Sequence, residues 1–150
     1  MQSEELLREL LALDPAMTRE RYYGERAVFY NPGRAAPLGV IVAAVKDHDG
    51  PNDRRANLSR PGVYRLAFGL DRTTFAELFG DVPARPPKCG VVAIPGYDLT
   101  ALDELMPHPV YAWMSWVQIL NPTTDRIDSL RGLLTSSLDL ARHKWRRRRG

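Results

Sequence analysis

Three histidines, one cysteine and a dense run of acids and bases are the groups in this 150-residue chain that could do chemistry. His108 is the most constrained of them. It sits between Pro107 and Pro109, whose rings fix φ on either side and hold the imidazole in a defined direction. Tyr111 and Trp113 follow at a spacing that, in a strand, puts both on one face and Trp116 on the other. A rigid imidazole beside a phenol and an indole can line a ligand cleft as acid, base or hydrogen-bond donor. The same residues also read as a turn histidine flanked by core aromatics. No nucleophile or carboxylate is fixed beside His108 by spacing, and Asp98 or Asp103 would have to orient it were it a general base.

The second group lies in the polar stretch 46–60, which holds Lys46, Asp47, His48, Asp49, Asp53, Arg54, Arg55 and Arg60. Loops this long in small domains are usually functional, although internal ion pairs in a solvated loop explain the same composition. As a calcium loop it fails, because Gly50 and Pro51 fall at the wrong positions and the distal glutamate is missing. Asp47, His48 and Asp49 are adjacent, and adjacent residues seldom converge on one ion, so no metal and no cofactor is expected. Arg65 lies inside an alternating apolar run and needs an anion if that face is covered: Asp53, Asp98 or a ligand. Cys89 follows Lys88 in a proline-rich stretch with no recognisable partner, which reads as a passive thiol. Glycine-rich phosphate loops, serine elbows and paired metal-binding histidines are absent.

Charge narrows the partners. Lys and Arg number 21 against 18 Asp and Glu, yet Lys144, Arg146, Arg147, Arg148 and Arg149 supply five of the positives. Without them the body carries 16 against 18 and is slightly acidic. A duplex-binding domain spreads its positive charge over a folded face, so nucleic acid is the disfavoured alternative and the basic tail 144–150 also reads as a solvated helix end. The chain shows no signal-peptide pattern and no apolar run of membrane-spanning length, which leads to the expectation of a cytoplasmic protein with no membrane partner.

The elements that must position these residues follow from periodicity. Leu6, Leu7, Leu10 and Leu13 form a helical stripe after Ser3, read as the N-cap, and Asp14-Pro15 stops it. Residues 17–24 read as polar and irregular. Strands are expected over 26–30, 38–45, 63–70, 91–94 and 110–120, with a short helix capped by Asp71 or Thr73 before Gly80 and a helical turn at 100–105. A final helix begins near Thr123 or Thr124, with Ile127, Leu130, Leu134, Leu138, Ala141 and Trp145 on one face. The expected fold is a single α+β domain over 1–150: an antiparallel sheet of about five strands with the N- and C-terminal helices packed on one face.

Asn57-Leu-Ser-Arg-Pro-Gly-Val-Tyr-Arg-Leu66, Thr74-Phe-Ala-Glu-Leu-Phe-Gly80 and Pro107-His-Pro-Val-Tyr-Ala-Trp-Met-Ser-Trp-Val117 resemble an uncharacterised bacterial family known only as a domain of unknown function. More distantly, the tryptophan-bearing strand ending in Asn121-Pro122 and the helix after it are similar to the MmcQ/YjbR-like proteins. That resemblance implies terminal helices on an antiparallel, frataxin-like sheet, and DNA binding as an alternative function. The leading expectation is a binding module for a small anionic or aromatic molecule, with His108, Tyr111, Trp113, Arg65, Arg60, Asp53 and His48 as its candidate residues. An enzyme using His108 as acid or base is the remaining alternative. Oligomeric state is not legible.

Overall fold

Apolar periodicity places both terminal helices. In α1 (Ser3–Leu11), Leu6, Leu7 and Leu10 are all buried, and Gln2 rather than Ser3 occupies the cap position. In α3 (Thr124–Arg149), Ile127, Leu130, Leu134, Leu138 and Ala141 are buried at steps of three and four. The Thr123 hydroxyl accepts from the Arg126 N–H and caps α3. The computed structural model describes residues 1–149; Gly150, the last residue of the basic tail, lies outside the described residues.

Between these helices run β1 (Met17–Tyr22), β2 (Glu25–Tyr30), β3 (Val40–Lys46), β4 (Arg65–Gly69), the short helix α2 (Arg72–Phe79), β5 (Met106–Pro107) and β6 (Trp116–Leu120). They make one six-stranded sheet in the order β1-β2-β3-β4-β6-β5, antiparallel at every named pairing. Asp71 caps α2 by accepting from the Thr74 N–H.

Four expectations need correction. Residues 17–22 are a strand, not irregular: Met-Thr-Arg-Glu-Arg-Tyr is polar because β1 is an edge, where charged side chains are tolerated. A two-residue turn, Tyr23-Gly24 with both φ positive, folds it back onto β2. Residues 91–94 are irregular, although Val92 and Ile94 are buried. No helical turn forms over 100–105. The strand expected over 110–120 is confined to 116–120, preceded by a 3-10 turn (Ala112–Met114) and by Ser115 in the left-handed region.

The register separates two faces of unlike character. Val28, Val45, Leu66, Phe68, Val117 and Ile119 share one face and join the buried side chains of α1 and α3 in the main core. Each fully buried large side chain here contributes roughly 1.5–3 kcal/mol relative to exposure. The opposite face carries Ala27, Ala44, Ala67 and Gly69 towards one end of the strands, and Lys46, Arg65 and Leu120 towards the other. The 46–60 loop closes over that second end, packing Ala56 and Leu58 against Val63 and Leu120. The alanine and glycine end is buried as well, but Ala44, Ala67 and Gly69 there line a cleft.

Candidate functional site

The cleft at the alanine and glycine end of this face has a volume of about 320 Å³. Its floor is Ala44, Ala67 and Gly69, short enough to leave a shallow, flat base. A Cβ on Gly69 would come within 2.7 Å of the Trp116 indole nitrogen, so glycine is what lets that ring lie close to the sheet. Tyr22 and Tyr23 of the β1–β2 turn, Tyr111, Met114 and Trp116 form the walls. Lys144 and Arg148, one turn apart on α3, stand at the rim and are exposed.

At the inner end sits His108, 1% exposed, and its local chain explains its state. The backbone N–H groups of Val110 and Tyr111 both donate to Nδ1, at 3.0 and 3.1 Å. A nitrogen accepting two such bonds carries no proton, so the neutral ring holds its proton on Nε2. Burial, then the Arg65 and Lys46 charges, push the imidazole pKa well below its ordinary value, against an opposing pull from Asp53. Among the described residues Nε2 has no hydrogen-bond partner, and His108 lines the cleft. The arrangement makes His108 a fixed donor at neutral pH.

Behind His108 lies a buried charge cluster. Arg65, 0% exposed, donates Nη1 to Asp53 Oδ1 at 2.9 Å and Nη2 to Oδ2, and Lys46 Nζ donates to the same Oδ2 at 3.0 Å. Burial alone would raise the Asp53 carboxyl, but its bonds to Arg65 and Lys46 outweigh that and hold it far below the usual range. A Cβ on Gly50 would meet Lys46 Nζ at 2.9 Å, so a larger residue there would have to displace the ammonium group from its place beside Asp53. Arg65 Nε and Gln118 Oε1, on the same sheet face, are buried without partners among the described residues.

Glu25 completes the site. It opens β2 on the cleft face, with Oε1 4.0 Å from Arg65 Nη2, and makes no hydrogen bond among the described residues. Burial raises its pKa, opposed by Arg65 and Lys46. Burial and the negative charges of Glu25 and Asp53 raise the Tyr111 phenol as well. Sequence reading missed Glu25. Its signal was an acid in phase with Ala27 and Phe29, alternating onto an otherwise apolar face.

The other sequence candidates divide. His108 and Tyr111 line the cleft, with their ring centroids 5.1 Å apart. Asp53 and Arg65 sit behind the lining rather than in it. Trp113 turns away from Tyr111, because the 3-10 turn replaces strand alternation, and stacks beneath Arg85 at 4.6 Å. Arg60 is spent on the carbonyls of Ala56, Asn57 and Thr100. His48 is an exposed partner of Asp47. Asp98 bonds to Thr100, and Asp103 to the N–H of Thr123 and to Arg126; neither reaches His108, whose orientation comes from backbone amides instead. Cys89 is exposed and free. In the basic run, Lys144 and Arg148 face the cleft while the Arg149 guanidinium lies 4.9 Å over Trp145, and Arg146 and Arg147 are exposed.

The fold and this cleft define an α+β protein with one sheet face sealed by helices and the other hollowed beside buried charge. The chain belongs to a family of unknown function, DUF6194, whose model matches residues 1–150. No curated protein and no solved structure gives a significant match. No helix among the described residues is long and apolar enough to cross a membrane.

Proposed function

We propose that this protein binds a small, flat molecule in the cleft between the β1–β2 turn, the His108–Met114 segment and α3. The observation that carries the reading is His108, a residue 1% exposed that lines a cleft with a small-residue floor and whose Nε2 has no protein partner among the described residues. The aromatic walls supply apolar contact on either side of a ring, and few polar groups converge on the interior, as in most small-molecule sites. A nucleic-acid reading through Lys144, Arg146, Arg147, Arg148 and Arg149 draws less support, because two of those five side chains turn to the cleft and one stacks on Trp145.

A fragment library rich in planar rings, screened by NMR, tests this. Fragments are expected to shift the Trp116 indole and His108 ring signals of the wild type, and to lose that effect in Ala44→Leu, which fills the floor. Circular dichroism checks that the variant is folded. Fragments that bind the filled variant equally well, or a screen in which neither ring responds, would overturn the reading.

A further inference from the structure

We infer that the ligand is an anionic heteroaromatic molecule, with a hydrogen-bond donor beside an acceptor on its inner edge and a carboxylate or phosphate at the cleft mouth. This rests on the reading of the cleft as a binding site and specifies what it recognises.

The inner end presents two different groups. His108 Nε2–H can only donate while the ring is neutral, and an ionised Glu25 carboxylate can only accept. Neither has a hydrogen-bond partner among the described residues for that atom. Their complement is a molecule that offers an acceptor to one and a donor to the other, as a lactam-bearing or amino-substituted heterocycle does. A phenyl ring satisfies neither, and a simple carboxylate would meet Glu25 as a like charge. A donor from the ligand also compensates the desolvation that Glu25 suffers in this position.

The middle of the cleft suits a ring. Ala67 and Gly69 put nothing longer than a methyl group on the floor, and Trp116 and Tyr111 supply apolar surface above it. The mouth is cationic. Lys144 and Arg148 have no ion-pair partner among the described residues, unlike Arg142 and Arg131 on the same helix, which pair with Asp14, Asp139, Asp128 and Glu9. Two unpaired cations one helical turn apart at the mouth of the cleft select an anionic substituent.

Calorimetric titration with five probes separates the parts. Inosine 5′-monophosphate carries the ring edge and a phosphate, and orotate the edge and a carboxylate. Inosine lacks the anion, phenyl phosphate lacks the edge, and inorganic phosphate lacks the ring. At least one of the first two is expected to bind tighter than every control by about tenfold or more. Which of them wins distinguishes phosphate from carboxylate. Lys144→Ala/Arg148→Ala, both exposed positions, should remove the advantage over inosine, and Glu25→Leu, which has no acceptor, the advantage over phenyl phosphate. Equal binding of phenyl phosphate, or of inosine, overturns the inference. If none of the five binds while planar fragments still occupy the cleft, this inference fails and the binding reading stands. If fragments fail too, both fall.

Discussion

With Val110 and Tyr111 donating to Nδ1, protonating His108 means breaking two backbone hydrogen bonds in a buried site already beside Arg65 and Lys46. Its folded pKa is therefore depressed while its unfolded pKa stays near 6.5. Below that value the unfolded chain takes up a proton that the folded one refuses, so stability falls with pH by up to about 1.4 kcal/mol per pH unit. Glu25 works with the opposite sign. Its raised folded pKa costs stability at neutral pH, and the cost is relieved as the carboxyl protonates. Asp53 stays ionised throughout this window, because its pKa is lowered. Urea unfolding at pH 7.5, 6.5 and 5.5 is expected to show a smaller acid loss in His108→Asn, whose side-chain oxygen can still accept from the turn, than in the wild type. Equal losses would mean that the imidazole titrates freely. That the His108 ring is held in one direction was legible from its two prolines; its tautomer was not, since that depends on which amides the turn brings to Nδ1.

At the scale of elements, α3 was the most legible part and residues 110–120 the least. A stripe of Ile127, Leu130, Leu134, Leu138 and Ala141 has one physical explanation, a helix with a buried face. Aromatic residues 111–116 satisfy strand propensity equally well, but the imidazole captures the amides of residues 110 and 111 and turns the chain instead. The edge strand β1 was hidden for a different reason. Edge positions select charge, and charge erases the alternation that marks a strand. For Arg65 the sequence left Asp53, Asp98 and a ligand open as the anion; the partner is Asp53, on the sheet face that the 46–60 loop covers. Leu134 is 3% exposed within the core that joins α3 to the sheet. Leu134→Asp would bury a charge with no partner there, and it is expected to leave the protein unfolded or aggregated in thermal melts. A variant melting like the wild type would show that α3 does not dock.

The two sides of the sheet give the whole molecule an uneven distribution of stability. The central strands β3, β4 and β6 are paired on both sides and pack their apolar face against α1 and α3. Residues 81–105, by contrast, cross from α2 to β5 with almost no regular structure and with Val91, Tyr97 and Leu102 exposed. They are fastened by isolated contacts: Arg55 to the Val92 carbonyl, Arg60 to the Thr100 carbonyl, and Gln118 to the Leu99 carbonyl. The same Arg55 guanidinium reaches the Pro109 carbonyl, so the 46–60 loop links this segment to the chain that carries His108. Regions with few buried contacts and few backbone hydrogen bonds open at free energies well below that of global unfolding. Native-state hydrogen exchange is therefore expected to be fast over 81–105, slowest in β3, β4 and β6, and intermediate over 108–114. Arg55→Ala, which removes both ties at once, should raise exchange in 81–105 and 108–114 together while leaving the central strands unchanged. Coupled loosening would show that the cleft wall and the irregular segment move as one unit through a side chain outside the cleft. If 108–114 keeps its protection in Arg55→Ala, the wall is held by the β5–β6 pairing and the His108 turn alone.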